Sequence, residues 1–189
     1  MNRTKDKLNE AQYFLNRMEE TQRRTDANTL SARNAFKYDL NAFLSATRSV
    51  TFAMQNDLST TPGFTDWYTE KQNEMRHDEI MQFFVEQRNI SIHQGSIQPI
   101  GRTMITITQD LEETESVSVE AVHPGQGEEQ GDLQNGPALA GLPTKETIEH
   151  EWYFDRFLPN SVLTVCNVQL AKLRKLVAEC ETTFLITGN

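Results

Sequence analysis

Cysteine is scarce in this chain, with two residues in 189, and no run of 18 consecutive apolar residues occurs anywhere. The first absence removes a disulfide framework and any Cys/His spacing suited to zinc. Cys166 and Cys180 stand fourteen apart in what reads as one helix. At the helical rise that separates them by about 21 Å, too far to bridge, so both are expected as packing or exposed thiols. The second absence removes a membrane-spanning helix. The first residues, MNRTKDKLNEAQYF, hold no apolar run of the signal-peptide kind, and the chain is expected to be cytoplasmic. HExxH, P-loop and clustered-carboxylate patterns are missing too, so neither a metal nor a cofactor is expected. Basic residues are absent between Arg102 and Lys145, an interval that holds Asp110, Glu112, Glu113, Glu115, Glu120, Glu128, Glu129 and Asp132. Without it the net charge of −9 becomes 18 basic against 19 acidic residues. The acidity belongs to one segment and does not exclude RNA as a partner for the rest.

What is present is enough for one well-filled domain: 37% hydrophobic residues, including ten Phe and two Trp. Residues 5–24 carry Leu8, Ala11, Leu15 and Met18 at helical spacing. Residues 31–56 repeat the pattern through Phe36, Leu40, Phe43, Val50 and Met54, with Thr29 and Ser31 available as caps. Ser59-Thr60-Thr61-Pro62-Gly63 breaks the chain. Residues 65–93 are helical again, as one long helix or two joined near His77-Asp78, with Trp67, Met75, Ile80, Phe83, Phe84 and Ile90 as apolar positions. Period-two texture then appears in TMITITQ and SVSVEAV with an acidic turn between them, which predicts a hairpin. The stretch HPGQGEEQGDLQNGPALAGLP has no periodic apolar face and reads as a mobile acidic loop; its glycine spacing only imitates a dinucleotide loop. After Pro159-Asn160-Ser161 a last helix runs to about Phe184. The fold expected is mainly α: an up-down bundle of four to five helices, one domain over 1–189, with 99–145 as an inserted acidic β-hairpin and loop.

One string carries chemistry. Arg88-Asn89-Ile90-Ser91-Ile92-His93 puts an arginine, an amide and one of four histidines at the end of a helical segment. With 11 Arg, 13 Asn and 4 His, Arg-Asn-x3-His is expected by composition roughly 0.02 times. Histidine titrates near pH 6.5, which suits a base that takes the proton of a ribose 2′-OH. The arginine fork suits charge developing on phosphate oxygens, and Asn89 can orient either. In a regular helix Arg88 and His93 point roughly 140° apart, while Asn89 and His93 share a face. Either the helix frays at its end, where Gly95 helps, or a second protomer across a two-fold axis supplies the missing half. The bland reading is that a helix-terminal Arg and His interact only with free carbonyls and the helix dipole.

The string RNISIH, the preceding helix ARNAFKYDLNAFLSATRSVTFAMQ and the long final helix together resemble the HEPN superfamily over some 120 residues. The shared signature is Arg-(polar)-x3-His at a helix end. That resemblance implies an all-α bundle, often a metal-independent endoribonuclease, with a composite site formed by two protomers. Residue by residue it implies roles for Arg88, Asn89 and His93, with RNA or a nucleotide as partner and a homodimer as the working form. It further implies a toxin or defence and stress effector, with a neutralising protein partner, or else a non-catalytic module binding nucleotide or protein. The acidic β insertion is this chain's own addition, and a third reading makes it the functional surface with the bundle as scaffold.

Weaker signals have stronger bland explanations. His77 fits a second catalytic histidine less well than a solvated helix-surface one. His123 and His150 lie in or beside loop texture and take no role. Trp67, Tyr68, Trp152 and Tyr153 can stack on bases, yet such residues more often anchor a core. Asn89-Ile90-Ser91 matches a glycosylation acceptor, which has meaning only in a secreted protein.

Overall fold

Four amphipathic columns, each with an apolar stripe too wide to leave in water, determine the architecture seen in the computed structural model, which describes residues 1–93, 97–109, 116–123 and 144–184. Helix α1 spans Asn2–Gln22, α2 Leu30–Leu58, α3 Phe64–His77, α4 Glu79–His93 and α5 Val162–Phe184. Strands β1 Ile100–Gln109, β2 Ser116–His123 and β3 Thr144–Tyr153 stand between α4 and α5. The expected helical bundle with an inserted hairpin is therefore present. The expected mobile loop, residues 123–143, lies outside the described residues except for His123, which is the last residue of β2.

The start and stop signals are local. Thr29 caps α2 by accepting a hydrogen bond from the Ala32 amide at 3.3 Å, and Ser161 caps α5 by accepting from the Thr164 amide at 3.2 Å. Gly63, ahead of α3, has φ +79°, a left-handed conformation that glycine adopts without strain. The segment left open as one helix or two is two. Asp78 ends α3 in an extended conformation and caps α4 through its Oδ1, which accepts from the Met81 amide at 3.0 Å. Burial works to raise the Asp78 pKa, but the paired Lys172 ammonium and the Met81 and Ile80 amides outweigh it and hold the carboxyl below its ordinary range.

Contacts along the columns give their directions. Thr4 meets Asp57 and Arg17 meets Asp39, so α1 and α2 run antiparallel. Lys5 meets Glu181, which sets α5 antiparallel to α1. Lys71 meets Glu179 and Asp78 meets Lys172, so α3 and α4 form one broken column running against α5. Leu15, Met18, Phe36, Leu40, Phe43, Val50 and Met54 are fully buried, as their spacing predicts, and Cys166 and Cys180 are packed inside α5. Burial pushes the Cys166 thiol well up and the Cys180 thiol to about 11. Val168, on the same helix, instead faces out.

The sheet is larger than the predicted hairpin. β1 pairs antiparallel with β2, as expected, and on its other edge with β3, giving the order β2-β1-β3. Strand character thus extends through His150-Glu151-Trp152-Tyr153, a stretch to which the sequence texture assigned no element, and helix returns after it, as expected, at Val162. β3 also fastens the sheet to the bundle. Trp152 stacks on Phe36 of α2 with centroids 5.0 Å apart, and Phe154 meets Phe83 of α4 edge-on at 4.8 Å. The indole lies across Gly101 of β1 so closely that a Cβ there would sit 3.1 Å from a ring carbon. Arg156, following β3, bridges Glu79 and Glu86 of α4 at 3.3 and 3.1 Å.

His150, placed by sequence texture beside a loop, is a buried residue of β3 opposite Thr103 of β1, whose Oγ1 lies 3.0 Å from its Nδ1. Burial first, and the charge of Arg33 second, lower its pKa. The neutral imidazole is therefore favoured in the folded state. Stability is present in full above the unfolded histidine pKa of about 6.5 and is lost as pH falls through the lower folded value. Urea titrations from pH 7 down to pH 5 are expected to show this loss, and His150→Asn is expected to reduce the slope.

Candidate functional site

The Arg88 to His93 string occupies the last two turns of α4, which stays helical through His93. That regularity settles one of the two geometries left open. The helix does not fray within the string, so Arg88 and His93 point roughly 140° apart and one chain does not gather them. Asn89 and His93 lie one turn apart on a common face, and both are exposed. Arg88 is half-buried, its Nε is shielded without a hydrogen-bond partner among the described residues, and its Nη1 reaches Asn89 Oδ1 only at 3.5 Å. A guanidinium left in this condition, with no ion pair among the described residues, has donors to offer an anion.

His93 differs from the other helix-terminal histidine. His77, in the last turn of α3, donates from Nδ1 to the Asn73 carbonyl at 2.7 Å and thereby caps its own helix, the bland role expected of it. His93 makes no hydrogen bond or ion pair among the described residues and is open to solvent.

The turn between the two functional ends is pinned from outside. Ser91 Oγ donates to Asn41 Oδ1 of α2 at 2.9 Å, fixing the phase of the last turn of α4. Asn41 was not singled out by sequence, because a contact spanning fifty residues leaves no local pattern. The apolar residues beside the string are uncovered: Val85 is 40% exposed and Ile92 51%. They lie seven apart on α4 and flank Asn89, forming a stripe on the face that carries the polar groups. Tyr38 and Phe52 of the adjacent α2 are exposed as well.

The aromatic residues weighed for base stacking are core residues. Tyr68 stacks on Phe64 at 5.5 Å, and Trp152 and Tyr153 are buried; Trp67 sits half-buried against Phe184. The described residues hold no group of three His, Cys, Asp or Glu placed to bind a metal ion, and no described helix is long and apolar enough to cross a membrane.

Comparison with known proteins gives one family. The model of bacteriophage lambda protein ea47 matches residues 17–122, more than half of the chain, from within α1 through the exposed string to the end of β2. No curated protein and no solved structure matches. The chain thus belongs to the bacteriophage lambda protein ea47 family.

Proposed function

We propose that the protein is a HEPN-like, metal-independent endoribonuclease that works as a homodimer, with Arg88, Asn89 and His93 of two protomers forming the site. The observation that carries this reading is the presence, on one regular helix end, of an exposed His93 and an under-satisfied Arg88, neither with an ion pair among the described residues. The uncovered Val85 and Ile92 beside them support self-association, since an isologous contact brings the same stripe to itself. Two-fold pairing resolves the angular problem, because the His93 of one chain can then face the Arg88 of the other.

In such a site His93 takes the proton of a ribose 2′-OH as the oxygen bonds to phosphorus. The P–O5′ bond breaks, and the proton passes to the departing 5′-oxygen. The products are a 2′,3′-cyclic phosphate and a 5′-hydroxyl. Arg88 meets the charge that builds on the non-bridging oxygens, and Asn89 orients the imidazole or holds one of those oxygens. A toxin-type or defence effector is the setting that the HEPN resemblance implies for such a nuclease.

The test is cleavage of total and structured RNA in excess EDTA. Wild-type protein is expected to cut. Loss of a general base lowers the rate by about 10²–10⁴-fold and loss of a charge stabiliser by about 10²–10³-fold, so His93→Ala and Arg88→Ala are each expected inactive while folded by circular dichroism. Variants that cut as well as wild type remove the assignment. Wild-type protein that binds RNA without cutting it makes the fold a binding module.

A further inference from the structure

A cavity of about 400 Å³ opens where the third column breaks at Asp78, between α2, α3 and α4, with α5 behind it. It falls within the size range of small-molecule sites. Its apolar walls are formed by Leu44, Met75, Met81, Val85 and Leu173 together with the rings of Tyr68 and Phe84. The two thioethers among them, Met75 and Met81, adapt readily to a flexible aliphatic chain.

Its charged and its most buried polar groups lie at different depths, and the one carboxylate in the lining, Glu86, is already held by Arg156. Arg48 and Arg76 line the cavity; Arg76 is exposed and Arg48 half-buried, which places them toward its mouth. The Arg48 guanidinium rests over the Phe52 ring at 4.4 Å, and neither arginine makes an ion pair among the described residues. In a chain with nine more acidic than basic residues, where Arg17, Arg24, Arg156, Lys71 and Lys172 all hold carboxylates, two uncommitted arginines at one opening are a feature of the site. At the other extreme Gln169 of α5 is 6% exposed, lines the same cavity, and has an Oε1 with no hydrogen-bond partner among the described residues. A buried carboxamide oxygen in that state is unfavourable until a donor reaches it.

We propose that this cavity binds a small amphipathic acid: an aliphatic body, an anionic head held by Arg48 and Arg76, and a hydrogen-bond donor at the far end that satisfies Gln169. This site shares only Val85 with the stripe beside the Arg88 to His93 string, includes no residue of that string, and does not depend on the nuclease reading.

The experiment is isothermal titration of the full chain with 12-hydroxydodecanoate, dodecanoate, 1,12-dodecanediol and dodecyl phosphate, each kept below its micelle concentration. One saturable site per chain is expected for the hydroxy acid. The diol, which lacks the anion, is expected to bind at least about tenfold more weakly, and so is the hydroxy acid to Arg76→Ala, an exposed position where folding is not at issue. Dodecanoate, lacking the donor, is expected to be weaker than the hydroxy acid for wild type, with that difference lost in Gln169→Leu. Single-site binding of dodecyl phosphate upholds the anion pocket, and its rank against dodecanoate assigns the head group as phosphate or carboxylate. Absence of saturable binding by any of the acids overturns the proposal. So does a diol that binds equally well, or an affinity that Arg76→Ala leaves unchanged.

Discussion

Replacing Trp152 by alanine is expected to destabilise the entire chain by about 3–5 kcal/mol, the usual cost of removing a buried tryptophan. Trp152 is 7% exposed, stacks on Phe36 in the middle of α2 and lies across Gly101 of β1, so its loss opens a void where sheet and bundle meet. For a domain of this size each kcal/mol lowers Tm by about 2–4 °C, which predicts a fall of roughly 10 °C in a melt followed by helical ellipticity. An appended hairpin would behave differently: the helices would melt at the wild-type temperature. The prediction thus tests whether the sheet is part of the core, as the contacts of Trp152 and Phe154 make it.

Mixing two inactive variants is expected to restore cleavage. If each site joins Arg88 of one protomer to His93 of the other, a dimer of one Arg88→Ala chain and one His93→Ala chain has one site with both groups and one with neither. Random reassortment makes about half the dimers mixed, so roughly a quarter of the wild-type rate returns, by the symmetry of a two-fold interface. Equal amounts of the two variants, unfolded together and refolded, supply the sample, and each variant refolded alone is the control. No recovery above the controls means that the site is built within one chain. The regular helix through His93 argues against that geometry.

Much of the bundle was legible because its causes are local. The stripe Phe36, Leu40, Phe43, Val50 and Met54 predicts a buried helix face, and every member is fully buried. Thr29, Pro62-Gly63 and Ser161 announce ends through caps and turns that need no distant partner. The hairpin of β1 and β2 was readable from its alternation. β3 was not, because Thr144–Tyr153 interrupts its few apolar residues with Lys, Glu and His. Its strand character comes from pairing with β1, where Thr103 meets His150 and Gly101 meets Trp152 across more than forty residues of sequence.

The site divides in the same way. Helical phase alone separates Arg88 from His93, and α4 keeps that phase to its end. The exposure of His93, the shielded Nε of Arg88 and the Ser91 to Asn41 hydrogen bond all depend on tertiary packing. Asn41, Arg48 and Arg76 gain their significance only once α2 and the broken third column lie side by side.

The proposed cleavage depends most directly on the 2′-hydroxyl as nucleophile. The measurement that tests it takes an RNA strand that the wild-type protein cuts, replaces the single ribose 5′ to the cut phosphate with 2′-deoxyribose, and compares both strands in excess EDTA. The proposed chemistry predicts that the all-ribose strand yields a 2′,3′-cyclic phosphate end while the substituted strand stays intact at that bond. Cleavage of the substituted strand at the same phosphate, or no cleavage of any RNA by the folded protein, contradicts it.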